Sequence, residues 1–127
     1  MDMNQLFSRG QRIALYGLSL LMLGLSVGYF VAPERIEQAY GVAVPEGGKY
    51  AMHYAVGTRD LFYGLLILTL TRLRQRRALS IAIGLGVLLP LGDAAIVLLH
   101  ERAGLVAALP HVGGVVMLLA VFFYIRP

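Results

Sequence analysis

Residues 50–77 read YAMHYAVGTRDLFYGLLILTLTRLRQRR, an apolar helix that contains His53, Arg59 and Asp60 and runs directly into a cluster of arginines. A charged side chain at the centre of a bilayer costs about 2.5 to 3.5 kcal/mol unless it is paired or hydrated. Because the chain carries that cost here, this helix is the place where we look for function.

The composition is that of a membrane protein. Of the 127 residues, 58% are hydrophobic and 14% are charged, and the mean hydropathy is +0.73. These values are too apolar for an ordinary soluble domain of this size. A bilayer-spanning helix needs about 20 largely apolar residues, so the chain has room for four spans and little else. We expect a single integral membrane domain over residues 1–127, with short loops.

The apolar segments predict four transmembrane helices, at about residues 13–31, 50–73, 78–100 and 104–125. The first segment is predicted to be retained, because its apolar length exceeds the roughly 7 to 15 residues of a signal-peptide core. The third contains Pro90, which interrupts a helix by removing a backbone hydrogen bond. The fold class is therefore all-α, a four-helix transmembrane bundle.

Basic residues predict the orientation of this bundle. Most lysines and arginines outside the spans lie at the N-terminus, in the second connection and at the C-terminus: Arg9, Arg12, Arg72, Arg74, Arg76, Arg77 and Arg126. By the positive-inside rule, both termini are cytoplasmic. Anionic lipid headgroups account for the net charge of +4, so we expect membrane lipid as a partner and no nucleic acid.

Two further features of the sequence are a polar segment between the first two spans and a glycine face on the first span. Residues 33–49 contain an amphipathic turn around Ile36 and Tyr40, which we expect to lie along the membrane surface as a short cap. On the first span, three glycines share one face as in small-xxx-small packing: Gly17, Gly24 and Gly28. Packing of that face within the chain is favoured over a homo-oligomer contact, which stays open.

Polar groups from three spans are predicted to meet in the outer half of the bundle. One stripe of the second span is polar or small and comprises Tyr50, His53, Gly57, Asp60 and Gly64, with the glycines opening space. At 1.5 Å per residue, Asp60 lies about 15 Å from the outer surface, and Asp93 and His111 about 10 Å. A shared pocket that opens outward is the simplest arrangement.

Arg59 needs an anionic partner in the membrane. Asp93 is the carboxylate at comparable depth besides Asp60, so we expect an Arg59–Asp93 contact or a network of all three, with Tyr63 one turn further along. Such a network either serves a site or only fixes the helix register, and the sequence favours neither. For His53 and His100, near the interface, a solvated histidine is favoured.

The residue types present limit the chemistry. The absence of cysteine excludes thiolate catalysis and thiolate metal sites. His53 and Asp60 are about 10.5 Å apart along one helix and do not readily ligate one ion. We therefore predict no metal site, and the cofactor stays undetermined.

The first hypothesis is an acid/base pocket that binds or converts a small amphipathic or isoprenoid- or quinone-like molecule. Asp60, Asp93 and His111 would handle protons on an apolar substrate. Ligand contacts would come from the other polar side chains nearby: Arg59, His53, Tyr50, Tyr63 and His100. Whether the chain is an enzyme stays open.

Two alternatives remain. The chain is either a non-catalytic accessory subunit, in which the Arg/Asp network only locks the bundle, or a haem-binding electron-transfer subunit. In the second case, His53 and His111 would hold a haem, with Gly57 and Gly114 making room for the ring.

Four motifs together resemble the small DoxX-like four-helix membrane proteins of bacteria. They are APERIEQAYGV at residues 32–42, GTRDLFYGLL at 57–66, GDAAIVL at 92–98 and PHVGG at 110–114. The resemblance implies a four-helix bundle in the bacterial inner (plasma) membrane and, in some relatives, a link to quinone or redox chemistry. It implies no settled activity, and the lack of cysteine argues against a thiol-redox role.

Overall fold

The computed structural model describes residues 7–42, 50–100 and 104–127. In chain order the helices are α1 (Arg9–Val31), α2 (Pro33–Tyr40), α3 (Ala51–Arg72), α4 (Arg76–Gly86), α5 (Leu88–Leu99) and α6 (Leu105–Ile125). The described part of the chain contains no strand, and the predicted all-α class is confirmed there.

Three helical segments are long and apolar enough to cross a membrane. They are α1, the combined α4–α5 segment Arg76–Leu99, and α6. Large apolar side chains stand exposed along them, such as Leu20 at 69% and Leu105 at 80%. Soluble monomers rarely expose extended apolar surfaces, so this protein is a membrane protein. The helix α3 occupies the predicted second span but is not one of the three.

The predicted third span consists of two helices that meet at Val87. Pro90 has no amide hydrogen to donate to the carbonyl of Gly86, and its ring crowds that carbonyl. The amide of Val87 turns instead to the carbonyl of Gly84, at 3.4 Å. The break therefore lies about one turn before the proline, because proline acts on the carbonyl four residues earlier.

The helices α1 and α3 pack closely and antiparallel. The hydroxyl of Ser19 donates to the carbonyl of Gly64, and the hydroxyl of Ser26 donates to that of Gly57, both at 2.8 Å. A residue further along α1 thus meets one earlier in α3. The spacing of seven residues is close to two helical turns, so both contacts lie on one face of each helix.

Two predictions about glycines need correction. Gly57 and Gly64 do not open space beside the polar side chains, because each lies against α1. On α1, the favoured packing of the glycine face within the chain is wrong for Gly17 and Gly24, since a Cβ at either would meet nothing within 4 Å among the described residues. Within the described ranges, Gly28 is the one glycine of that face that is covered, by Ile36 of α2.

The start of α1, the start of α4 and the end of α6 lie together. Gln11 donates from Nε2 to the carbonyl of Tyr124 at 2.7 Å, and Arg76 donates from Nε to that of Ile125 at 2.8 Å. These bonds satisfy carbonyls that the last turn of α6 leaves without helical partners. The start of α1 and the end of α6 thus lie at the same end of the helices.

At the opposite end, α2 folds back across the other helices. It follows Ala32, whose backbone is not helical (φ −139°, ψ 59°), and it ends at Gly41 in the left-handed region (φ +93°). Ile36 packs on α1, and Gly41 packs on Ala107 of α6. A short helix is thus present where the sequence predicted an amphipathic cap.

Replacing Gly41 with alanine is expected to loosen α2. A left-handed conformation costs a residue with a Cβ about 1 to 2 kcal/mol, and the new Cβ would lie 2.9 Å from the Cβ of Ala107. Hydrogen exchange of the α2 amides should accelerate about 5- to 30-fold, while α3 is unchanged. Gly104→Ala is the matched control, because that site has φ −78° and a Cβ there would meet nothing within 4 Å in the described part of the chain. Equal α2 exchange rates in both variants would contradict the prediction.

Candidate functional site

A cavity of about 380 Å³ lies between α1, α2, α3, α5 and α6. Small-molecule pockets in proteins have volumes of about 300 to 1,000 Å³ and largely apolar walls with a few convergent polar groups. The apolar walls include Leu21, Leu25 and Met117. The polar and aromatic side chains that line the cavity are Tyr29, Tyr40, Arg59, Asp60, Tyr63, Asp93 and His111.

Arg59 connects the two carboxylates of the cavity. Its Nη1 and Nη2 donate to Oδ1 and Oδ2 of Asp93 at 2.8 and 2.9 Å, and its Nε donates to Oδ1 of Asp60 at 3.0 Å. A planar guanidinium fits a carboxylate in this two-point manner. Asp60 and Asp93 are only 3% and 7% exposed. The Arg59–Asp93 contact and the network predicted from the sequence are thus confirmed.

Tyr40 joins this network from α2, and the sequence did not identify it as a site residue. Its hydroxyl donates to Oδ1 of Asp93 at 3.1 Å. Burial, together with the neighbouring Asp93 carboxylate, raises the pKa of Tyr40 to about 12, so the phenol stays neutral and donates at neutral pH. The sequence signal that could have identified Tyr40 is its position at the end of an amphipathic helix, directly before a glycine.

His111 contacts the same residue through its backbone. The Nε2 atom lies 2.9 Å from the carbonyl oxygen of Tyr40. Because a carbonyl only accepts, Nε2 carries the proton in this contact. The two rings meet edge to face, with centroids 4.8 Å apart. The imidazole therefore holds the C-terminal end of α2 against α6 as well as lining the cavity.

Tyr63 lies at the break between α4 and α5. Its hydroxyl donates to the carbonyl of Ala82 at 3.2 Å. A Cβ at Gly86 would collide with the Tyr63 hydroxyl, so this glycine makes room for the ring. The break in the third span thus accommodates a side chain that lines the cavity.

Three of the predicted ligand-binding residues do not line the cavity: His53, Tyr50 and His100. The ring of His53 packs near those of Tyr29 and Tyr50, with centroids 6.1 and 5.9 Å apart. The Tyr50 hydroxyl donates to Oε1 of the exposed Glu34 at 2.9 Å. His100 is exposed at the end of α5. The cavity thus brings together the other predicted site residues, Arg59, Asp60, Tyr63, Asp93 and His111, and leaves these three apart.

Gly57 and Gly114, which were expected to make room for a haem ring, each lie close to a neighbouring helix. A Cβ at Gly57 would lie 2.9 Å from the Cβ of Tyr29, and a Cβ at Gly114 would lie 3.1 Å from that of Pro90. Both glycines therefore serve close helix packing, Gly114 also lines the cavity, and the haem-binding alternative stays a prediction. Among residues 7–42, 50–100 and 104–127, no group of three or more His, Asp and Glu side chains could hold a metal ion.

The fold and the cavity define a small helical membrane protein with buried, paired charges. Residues 17–125 match the family model described as a domain of unknown function (DUF4267), and the chain belongs to this family. The matched region includes every residue that lines the cavity. No curated protein and no solved structure matches the chain. The function is therefore inferred from the site.

Proposed function

We propose that this chain is a multi-pass protein of the bacterial inner membrane, of the DoxX-like type, with an outward-facing acid/base pocket. The pocket binds or converts a small amphipathic or isoprenoid- or quinone-like molecule. In this proposal α3 also crosses the membrane, in addition to α1, α4–α5 and α6, so that the bundle has four spans, and both termini are cytoplasmic. The 22 residues of α3 give a length of about 33 Å, against about 30 Å for the hydrocarbon core.

The cavity itself is the observation that carries the proposal. An ion network that only fixes helix register needs no open volume beside it, yet Arg59, Asp60 and Asp93 border a space of about 380 Å³. Intramembrane ionisable groups beside a cavity are by default candidates for a functional site. The cavity lies under α2, at the end away from Arg76, which is the outer end in the proposed orientation.

Each polar group has a distinct proposed role. Arg59 uses three N–H groups on the two aspartates, and a guanidinium has five, so two remain for a ligand oxygen. Asp60, Asp93 and His111 are the proton-handling groups. The apolar part of the ligand would lie along Met117 and its neighbours, because a thioether adapts to irregular apolar shapes.

An accessory subunit is the second candidate. The two-point contact between Arg59 and Asp93 favours it, because that contact already satisfies most of the buried charge. In this case α1 and α6 would dock a partner protein, and the cavity would hold only lipid. The two candidates differ in whether the carboxylates affect what the cavity retains.

Asp60→Asn is expected to reduce the bound lipophilic molecule at least tenfold. The change removes a buried negative charge and its charge-assisted hydrogen bond, worth about 1.5 to 3 kcal/mol. The measurement is mass spectrometry of molecules extracted from protein purified in lipid nanodiscs. Glu34→Gln is the matched control, because it makes the same chemical change on the exposed face of α2. Equal retention by the wild type and Asp60→Asn would contradict the proposal.

A further inference from the structure

The cavity contains more carboxylate than cation. Arg59, Asp60, Asp93 and His111 face it from α3, α5 and α6. The other titratable groups that line it are tyrosines, namely Tyr29 from α1, Tyr40 from α2 and Tyr63 from α3. Beside these tyrosines and the imidazole, one guanidinium stands against two carboxylates. The described lining thus holds one more carboxylate than guanidinium.

The hydrogen bonds assign that excess to Asp60. Asp93 receives both terminal nitrogens of Arg59 and the hydroxyl of Tyr40. Asp60 receives the Nε–H of Arg59 on Oδ1. Because Asp60 is 97% buried in mostly apolar surroundings, its charge requires a further positive partner. Either a proton or a bound cation meets that requirement.

The lining of the cavity suits a bound cation as the partner of Asp60. Aromatic rings attract a cation through their negative faces, by about 0.5 to 2 kcal/mol depending on desolvation. Tyr29, Tyr40 and Tyr63 bring three such rings to the lining, and Met22 and Met117 add polarisable sulfur. An anionic head group would instead meet two carboxylates. The lining therefore combines one unmatched negative charge with aromatic and apolar walls.

We propose that the natural ligand is a lipophilic organic cation, such as an amine with apolar substituents, which exchanges with a proton on Asp60. This inference rests on the proposed function and names its ligand class. In the empty cavity a proton neutralises Asp60. When the cation enters, that proton leaves to solvent and the cation pairs with the carboxylate. One positive charge enters and one leaves, so the charge of the site is unchanged.

Tetraphenylphosphonium is the probe that tests this exchange. It is permanently charged and carries no acidic proton, so any proton released comes from the protein. Calorimetric titration of the full chain in nanodiscs, in two buffers of different ionisation enthalpy, gives the number of protons released. We expect one proton per probe at a pH below the titration of Asp60. In that range the affinity should fall tenfold for each unit by which the pH is lowered.

Variants separate this exchange from nonspecific partition into lipid. Asp60→Asn should abolish proton release and weaken binding at least tenfold, and Asp60→Glu should retain the release. Glu34→Gln should behave as the wild type, because Glu34 is exposed and does not line the cavity. If Asp60→Asn does not fold, Asp60→Glu still decides: loss of proton release in a folded Asp60→Glu variant that binds the probe would overturn the proposal.

A neutral quinone with an apolar tail, titrated in parallel, separates this inference from the proposed function. Binding of the phosphonium without proton release would overturn the exchange. If the quinone binds in an Asp60-dependent manner and the phosphonium does not, the cation inference fails and the proposed function stands. If neither probe binds and no lipophilic molecule copurifies, both fail.

Discussion

Asp93→Ala is expected to destabilise the protein by about 3 to 5 kcal/mol. Arg59 would keep its position on α3, lose both bonds to Asp93, and retain only the single bond to Asp60. The side chain of Arg59 is 30% exposed, and a charge that is mostly enclosed by the protein without its partner pays much of its desolvation cost. Removal of one member of such a pair therefore costs more than the pair contributes. Reversible unfolding in mixed micelles with increasing SDS measures the change.

Glu34→Ala is the control for this measurement. It also removes a carboxylate from a hydrogen bond, to Tyr50, but at an exposed position. Changes at exposed sites away from special features are usually within about 0.5 kcal/mol. If Asp93→Ala costs no more than this control, Arg59 is not desolvated and its network with the two aspartates does not stabilise the fold.

A double variant separates stability from function. Arg59→Met combined with Asp93→Leu replaces the ion pair with apolar groups, and such exchanges are often neutral or stabilising. Asp60 then lacks its guanidinium, but it can hold a proton. We expect this variant to recover most of the stability that Asp93→Ala loses and to retain the lipophilic ligand only while Asp60 is present. Retention that is unchanged after a further Asp60→Asn substitution would favour the accessory-subunit candidate.

The network of Arg59 with the two aspartates could be predicted from the sequence, because few carboxylates are available to pair with an arginine inside an apolar helix. Arg59 lies inside an apolar helix, where an unpaired charge is costly, so a carboxylate had to lie near it. Counting 1.5 Å per residue from the helix ends placed Asp93 at a similar depth on another span. The position of a residue along a helix and its cost in lipid are both local properties, and both can be derived without the fold.

Tyr40 could not be predicted as a site residue, because its place depends on how α2 folds back. The direction of α2 is set by the non-helical backbone of Ala32 and by the contact of Gly41 with Ala107. Neither follows from the periodicity of eight residues. An amphipathic pattern predicted a surface cap, but not that its last residue reaches the carboxylate of Asp93.

The small residues of α1 and α3 show the same limit. The sequence predicts faces rich in glycine, but a glycine face looks the same whether it meets a neighbouring helix, a ligand or lipid. Gly57 and Gly64 lie against α1, whereas a Cβ at Gly17 would meet none of the described residues within 4 Å. Ser19 and Ser26 make the matching contacts through their hydroxyls, and isolated serines in an apolar helix give no distinct signal.

The close contact of Gly57 with α1 predicts a large loss of stability when this glycine is replaced. Gly57→Val is expected to destabilise the protein by about 1 to 3 kcal/mol, the usual cost of overpacking. The new Cβ would lie 2.9 Å from the Cβ of Tyr29, which is one bond from the backbone and cannot swing away. The helices must separate instead, and the bond from Ser26 to the Gly57 carbonyl lengthens. SDS-induced unfolding measures the loss.

Gly17→Val is the matched control, because it makes the same substitution where a Cβ meets no residue of the described ranges within 4 Å. It should change stability by less than about 0.5 kcal/mol, and equal losses in the two variants would contradict the α1–α3 packing. The effect of Gly57→Val should also reach the cavity, since Tyr29 lines it and Asp60 lies one turn from Gly57. Ligand retention should therefore fall in Gly57→Val and not in Gly17→Val, which would tie close packing of α1 on α3 to the position of the carboxylate.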